Sequence, residues 1–141
     1  MTPAGIPRYR SMLKSKIHRA RVTHANVDYE GSLSVDPTLL HEADILPGEE
    51  VHVWNVTRGT RFCTYAIAGP VGLGEMSVNG AAAHLVKPDD RIIVATFLWM
   101  EDSEARTHKP VALFVDENNK IIHAGPELPG PAVRDRPAKK I

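Results

Sequence analysis

The chain of 141 residues carries 17 basic and 17 acidic side chains, so its formal net charge is zero and neither a polyanionic partner nor a membrane surface is indicated. Its length suits one domain with a core, and its single cysteine, Cys63, excludes an internal disulfide and a cysteine-rich zinc site. The longest apolar stretch, 92–100, is far shorter than the ~20 residues that cross a bilayer, and no signal-peptide segment follows the basic N-terminus. These features predict a cytoplasmic protein.

The sequence divides into three parts. Residues 1–7 predict a flexible leader, and residues 8–118 predict a single β domain. Residues 119–141 are rich in proline and end in basic residues, which is typical of a tail that is mobile or draped over a surface.

Within the β domain, most elements are short strands. Apolar alternation and β-branched residues predict strands over 12–23, 51–56, 61–67, 76–79, 91–97 and 111–115. Asp36 and Pro37 are typical of a helix N-cap and first helical position, so a short helix is predicted to continue to Ala43. Further helical turns are predicted over 80–84 and 101–106. Many short strands joined by one-turn helices favour a mainly β fold, a small β-barrel.

The dipeptide Gly31-Ser32 can carry chemistry of its own. Such a pair is usually a turn, but the serine hydroxyl can attack the glycine carbonyl, cleave the backbone and leave a pyruvoyl ketone at residue 32. Glycine suits the upstream position because it has no Cβ, which permits a positive φ and exposes its carbonyl to attack. The oxyanion that develops needs hydrogen-bond donors, for which Thr64 and Asn79 are candidates.

Other catalytic signatures are absent from the sequence. It contains no Gly-x-Ser-x-Gly, no His-Glu-x-x-His and no phosphate-binding glycine loop. Its seven histidines occur singly, without the spacing of metal ligands. An enzyme of this kind would take its electrophile from the chain itself, with no metal and no pyridoxal phosphate.

Segments spread over residues 8–116 resemble the aspartate 1-decarboxylase family, bacterial pyruvoyl enzymes that form β-alanine for pantothenate and coenzyme A. The matching segments are 12–19, 22–25, 29–32, 54–57, 61–62, 64–67, 77–84 and 104–107. None of these segments is specific by itself, and the resemblance rests on their occurrence in the family's order.

The resemblance implies a six-stranded double-psi β-barrel that assembles as a homotetramer with active sites between subunits. It also implies autocatalytic cleavage between Gly31 and Ser32. The pyruvoyl group from Ser32 would form a Schiff base with L-aspartate before the α-carboxylate leaves as CO2. Tyr65 matches the proton donor of the family. The matched substrate-binding positions are Lys16, Arg61, Thr64, Gly80, Ala81 and Ala82, with Trp54 as a possible pocket wall.

Two other interpretations stay open on the sequence. Basic residues are frequent before position 22, as in small barrels that bind nucleic acid without being enzymes, although zero net charge counts against this. A pyruvoyl decarboxylase could instead act on another acidic amino acid, because Arg61 does not by itself distinguish aspartate from glutamate. The sequence also leaves open whether cleavage needs a maturation factor.

Overall fold

A computed structural model describes residues 5–127. Most of the predicted leader and the end of the predicted tail, residues 1–4 and 128–141, therefore lie outside the described residues. The elements in chain order are β1 (Tyr9–Arg21), β2 (His24–Asn26), β3 (Ser32–Val35), α1 (Pro37–Glu42), β4 (Glu50–Asn55), β5 (Arg61–Ala68), β6 (Met76–Asn79), a 3₁₀ helix (Gly80–Leu85), β7 (Arg91–Glu101), α2 (Asp102–Ala105), β8 (Val111–Val115) and β9 (Ile121–Gly125).

The strands form one sheet whose connections require it to curl. Its order is β2-β6-β3-β5-β4-β7-β1-β8-β9, with parallel pairing in β2–β6, β3–β5 and β1–β8. β1 and β2 are far apart in this order, yet only Val22 and Thr23 separate them along the chain. Backbone N–H groups of Val22 and Thr23 donate to the carbonyls of Asp90 and Met76, both at 2.9 Å. The fold is mainly β, as predicted, and is consistent with a small β-barrel.

Tertiary pairing divides and extends the strands beyond the sequence prediction. The described residues form nine strand segments rather than six, partly because β2 resumes after a two-residue break from β1. β7 continues to Glu101 because its end pairs with Tyr9 at the start of β1. Arg19, with φ 60°, lies at a register shift in β1, and such a bulge bends a strand.

The helix that follows β3 confirms the prediction from local sequence. The Asp36 carboxylate accepts the backbone N–H of Thr38 at 2.9 Å, and Pro37 occupies the first turn of α1. The same carboxylate accepts the N–H of Gly74 at 2.8 Å and so joins α1 to the loop before β6. Burial raises the pKa of Asp36, but these backbone donors outweigh it and hold the pKa below its usual value.

The sheet extends into the region that the sequence assigns to the tail. β9 pairs antiparallel with β8, with Ala124 opposite Leu113. The buried Asn119 side chain, 2% exposed, donates to the carbonyls of Arg21 and Gly74, both at 2.8 Å. The β domain therefore continues at least to Gly125 rather than ending at residue 118, because these long-range contacts offset the loss of chain entropy.

The apolar core lies on the concave side of the curled sheet. Its fully buried members come from nearly every strand and include Ile17, Leu33, Val53, Val78 and Val94. Successive side chains of a strand alternate between faces, so the residues next to these in sequence are placed on the outer face. Among the described residues, no helix is long and apolar enough to cross a membrane.

Candidate active site

Ser32 begins β3 at a buried position directly opposite Asn79 on β6. Its side chain is 2% exposed, and its Oγ accepts a hydrogen bond from Asn79 Nδ2 at 3.1 Å. The same hydroxyl donates to the Glu30 carbonyl at 3.4 Å. Asn79 forms no side-chain cap for the 3₁₀ helix that it precedes, so its amide serves Ser32 instead. The predicted processing residues Ser32 and Asn79 therefore meet, although they are distant in sequence.

The peptide before Ser32 lies tightly against Gly80. A Cβ placed on Gly80 would lie 2.5 Å from Gly31 Cα and 2.7 Å from Gly31 N. Gly80 also has φ +75°, a conformation that only glycine adopts without strain. Gly80 thus allows the backbone of β6 to approach the Gly31-Ser32 bond in a way that no other residue permits.

The conformational role expected of Gly31 belongs to Gly80. Gly31 does not have a positive φ, and a Cβ built there meets only the Asn79 carbonyl oxygen, at 3.9 Å, which is ordinary contact. Gly31 therefore does not use the positive φ that glycine permits at this position. The reason is that the tight approach is made from the β6 side, where the chain turns into the 3₁₀ helix.

Tyr65 lies on the same face of the sheet as Ser32. β3 and β5 are parallel with Leu33 beside Ala66, and both of these residues are fully buried. Extending that register back by one residue places Ser32 beside Tyr65, pointing to the opposite side from the core. Tyr65 is 42% exposed, which leaves its phenol accessible to a small molecule.

A cavity of about 510 Å³ opens on this face of the sheet. Asn79 and Ile67 contribute to its lining, as does Ser34, which donates a short hydrogen bond to Glu75. His24 also lines the cavity, and its Nδ1 lies 3.1 Å from Ser77 Oγ. The cavity is large enough for an amino acid and reaches the row of residues that contains Ser32.

Thr64 is placed differently from Tyr65. It is half-buried and lies opposite Val51 on β4, so it points toward the concave side of the sheet while Tyr65 points outward. Within the described part of the chain, the side-chain hydrogen bonds of Ser32 are to Asn79 and Glu30, and none is to Thr64. The structure therefore brings only one of the two predicted oxyanion donors to Ser32.

Arg61 is held by an aromatic ring at the start of β5. It lies directly opposite Trp54 on β4, and its guanidinium carbon is 5.3 Å from the centroid of the Trp54 ring, a cation–π geometry. The preceding turn is fixed by Asn55, whose Oδ1 accepts the backbone N–H groups of Thr57 and Arg58. Trp54 thus orients the cation and forms a wall beside it.

Lys16 is remote from Ser32 in the strand order. It lies on β1, four places from β3 in the sheet, and its Nζ forms an ion pair with Glu127 Oε2 at 2.6 Å. The remaining predicted substrate-binding residues lie at the start of the 3₁₀ helix, where Ala81 is exposed and Ala82 is half-buried. Direct contacts therefore join Ser32 to Asn79 and Gly31 to Gly80, the register places Tyr65 beside them, and Lys16 contacts Glu127 instead.

A further cluster escaped the sequence analysis. Glu50, His52 and Cys63 each offer one ligand atom within 4.8 Å of the others, although no histidine has metal-ligand spacing along the sequence. His52 and Cys63 are 11 residues apart and meet only because the hairpin register places them opposite each other. The sequence predicted two strands joined by the 57–60 turn, which indicates a hairpin. The residues that face each other across that hairpin are known only from its register in the structure.

Comparison with known proteins gives consistent matches. The aspartate decarboxylase family model matches residues 8–122. A protein named aspartate 1-decarboxylase from Rhodopirellula baltica is 55% identical over 126 residues, covering 89% of this chain and 81% of the relative. Proteins of the same name are 53% identical in Legionella pneumophila strain Lens, covering 86% and 92%, and 51% identical in Myxococcus xanthus, covering 89% and 97%. The chain therefore belongs to the aspartate decarboxylase family.

Proposed function

We propose that this carboxy-lyase removes the α-carboxylate of L-aspartate as CO2 and releases β-alanine, using a pyruvoyl group made from its own Ser32. The observation that carries the proposal is the buried contact of Gly31-Ser32 with Asn79 and Gly80. The name shared by the relatives supports aspartate as the substrate.

The first reaction in the proposal is cleavage of the chain by its own serine. Ser32 Oγ adds to the Gly31 carbonyl carbon, and the peptide C–N bond breaks to give an ester with a free amine at residue 32. Loss of the Ser32 Cα proton then expels Gly31 as a carboxylate and leaves dehydroalanine. Water adds, and ammonia departs as the ketone forms. Asn79 orients Oγ, while Gly80 fixes the position of the Gly31 backbone.

The residues around Ser32 fit a small ketone. The Ser32 side chain is buried and accepts a hydrogen bond from Asn79, and Asn79 in turn lines a cavity wide enough for an amino acid. The pyruvoyl ketone supplies an electrophile that holds the substrate amine and withdraws electrons as CO2 leaves. Tyr65, beside Ser32 in register, holds a proton on its phenol oxygen and delivers it to the substrate carbon.

Recognition of the substrate falls to cations and backbone groups. The Arg61 guanidinium, held over Trp54, binds the β-carboxylate with two parallel N–H donors. The backbone of residues 80–82 holds the remaining polar groups, as predicted from the family resemblance. The Thr64 side chain points to the opposite side from Tyr65, so we assign it none of these groups within one chain. These contacts favour a dicarboxylic amino acid as substrate. Aspartate and glutamate differ in the length of the substrate side chain, so the distance from the ketone to Arg61 decides between them.

We also propose a homotetramer in which neighbouring subunits complete each site. Lys16 pairs with Glu127 in its own chain, so we assign its predicted role to the site of a neighbouring subunit. Phe97, Leu98 and Trp99 are successive residues of β7 that are 39–70% exposed on alternate faces, which supports burial of this end of the strand in an interface.

The basic residues of β1 do not favour nucleic acid. Four of them form ion pairs with carboxylates of the same chain: Arg10 pairs with Asp102, Lys14 with Glu49, Lys16 with Glu127 and Arg21 with Asp89. These pairs neutralise the charge that phosphate contacts would need. We place the enzyme in the cytoplasm, where its free Cys63 would remain reduced and β-alanine would feed pantothenate synthesis.

The test compares two serine variants. Ser32→Ala removes the nucleophile and should abolish both chain cleavage and β-alanine formation from L-aspartate. Ser103→Ala, the same change at an exposed serine of α2, should leave a cleaved and active enzyme. L-Glutamate is assayed in parallel and should be a poor substrate. Production of β-alanine by Ser32→Ala would contradict the mechanism, and faster turnover of L-glutamate would contradict the substrate.

A further inference from the structure

Three potential metal ligands meet on the outer face of the β4–β5 hairpin. Glu50 and His52 are two residues apart on β4 and so project from the same face, and Cys63 lies directly opposite His52. Their ligand atoms lie within 4.8 Å of one another, and Cys63 Sγ is 3.3 Å from His52 Nδ1. We infer that this cluster binds a divalent transition-metal ion of the zinc class.

The donor set matches zinc rather than magnesium or calcium. A thiolate and an imidazole suit Zn²⁺, whereas Mg²⁺ and Ca²⁺ prefer oxygen donors only. Zinc–ligand bonds of about 2.0–2.3 Å place tetrahedral ligands about 3.3–3.8 Å apart. The observed spacing therefore needs only a small side-chain rotation to close around an ion. The negative charges of the thiolate and the Glu50 carboxylate would balance the charge of the metal.

The surroundings hold the ligands in place and leave them accessible. His52 lies on a strand between β5 and β7, and its ring contacts Phe97 edge-on at 5.1 Å. In the described part of the chain no lysine or arginine forms an ion pair with Glu50. The nearby Lys14 pairs with the adjacent Glu49 instead, with 2.7 Å between Lys14 Nζ and Glu49 Oε2. A free carboxylate beside a thiol and an imidazole is available to a cation.

An open coordination position remains for water or a small ligand. Glu50 and Cys63 are exposed, and a cavity of about 420 Å³ borders Glu50 and His52 and is lined farther away by Trp99. Three protein ligands with a fourth position open to solvent form a familiar zinc geometry. The proposed pyruvoyl chemistry uses no metal, so it does not require an ion at this cluster.

The location of the cluster also gives it a consequence for turnover, which rests on the proposed function. Cys63 lies between Arg61 and Tyr65 on the outer face of β5, and Tyr65 is opposite Glu50. An ion bound there would place positive charge beside the proposed proton donor. Zinc should therefore lower the rate of β-alanine formation by the wild-type enzyme and have less effect on Cys63→Ser.

Binding is tested by titrating the full chain with Co²⁺ alone, a spectroscopic probe for Zn²⁺. We expect a thiolate-to-cobalt charge-transfer band in the near ultraviolet that saturates at one equivalent per chain and disappears when Zn²⁺ is added. Cys63→Ser should abolish the band, and Glu50→Gln and His52→Gln should weaken binding by about tenfold or more. His41→Gln, a change at an exposed histidine of α1, is the control and should bind like the wild type.

A second measurement avoids reliance on variants. Zn²⁺ should slow alkylation of Cys63 in the wild-type chain, since the metal occupies the thiolate. Absence of a charge-transfer band, persistence of the band in Cys63→Ser, or alkylation unaffected by Zn²⁺ would each overturn the inference. None of these readouts depends on decarboxylation, so failure here leaves the proposed function untouched, and failure of the proposed function leaves the metal site untouched.

Discussion

Two regions of the same sheet differ in how complete they are within one chain. Around Gly31-Ser32 the backbone is closely packed, the hydroxyl is buried and a hydrogen-bond donor is already in place. On the outer face of β4 and β5, by contrast, Arg61 and Tyr65 are exposed and open to a small molecule. The proposed cleavage region is packed within one chain, whereas the proposed substrate-binding residues are exposed.

This difference suggests that cleavage and turnover can be separated by mutation. Changes in the buried region should slow formation of the two chains, and any loss of activity should follow from the missing pyruvoyl group. Changes on the exposed face should leave cleavage intact and act on decarboxylation.

The largest effect is expected for Tyr65→Phe, which removes the proposed proton donor. Cleavage should be complete, while kcat for β-alanine formation should fall by about 10²–10⁴-fold, the usual contribution of general acid catalysis. The control is Tyr9→Phe, a change at an exposed tyrosine near the start of β1. Stopped assays on fully cleaved protein provide the measurement, and an unchanged kcat would remove Tyr65 from this role.

Gly80→Ala should have its main effect on cleavage. The new Cβ would lie 2.5 Å from Gly31 Cα and displace the bond that Ser32 attacks. A misplacement of about 1 Å can cost roughly 100-fold in rate. The rate at which the two chains appear in a gel time course measures this effect.

The matched control for Gly80→Ala is Gly59→Ala. Gly59 has a similar φ, +78°, but a Cβ there meets nothing within 4 Å. Both variants bear the strain of a positive φ, of about 1 kcal/mol, so only steric overlap separates them. Equal cleavage rates in the two variants would show that the Gly80–Gly31 approach has no role in processing.

Asn79→Ala should slow cleavage more modestly. Loss of a single buried hydrogen bond costs about 1–3 kcal/mol, which corresponds to roughly a tenfold or greater reduction if the bond to Ser32 Oγ orients the attack. Asn26→Ala, at the neighbouring position of the same cross-strand row, serves as the control. Intact-mass measurement over time follows both variants, and identical rates would contradict a processing role for Asn79.

The smallest effect concerns a site outside both regions. Asp102 accepts hydrogen bonds from Arg106 Nε at 2.8 Å and Arg10 Nε at 2.6 Å, which lower its pKa from 3.8 to about 2. A lowered folded-state pKa stabilises the protein above pH about 4, and this contribution is lost as the pH falls toward 2.

Asp102→Asn should therefore flatten the dependence of stability on pH between about 4 and 2, while cleavage and turnover at neutral pH stay unchanged. Urea unfolding at several acidic pH values measures the first effect. A slope in that pH window equal to that of the wild type would contradict the linkage.

Local sequence predicted those elements whose determinants are local. Asp36 and Pro37 specify the start of α1 through a side-chain cap and a fixed φ. β6 begins and ends where predicted, at Met76 and Asn79. In contrast, β9 follows a turn stabilised by Asn119, whose partners Arg21 and Gly74 lie far away in sequence.

The site shows the same limit. The identity of Ser32 and Tyr65 as candidates came from motifs, but their common face depends on the parallel pairing of β3 with β5. The contact of Gly80 with Gly31 and the meeting of His52 with Cys63 also depend on register. A one-residue shift in register would reverse the face of every side chain, and the sequence pattern alone does not determine it.

Cleavage at Ser32 is tested most directly by the intact mass of the purified, active protein. We predict two chains, one comprising residues 1–31 and the other beginning at residue 32 with a pyruvoyl group in place of serine and no free α-amine. Ser32→Ala should give one chain of full length. A preparation that forms β-alanine from L-aspartate while remaining a single uncleaved chain would contradict a pyruvoyl mechanism.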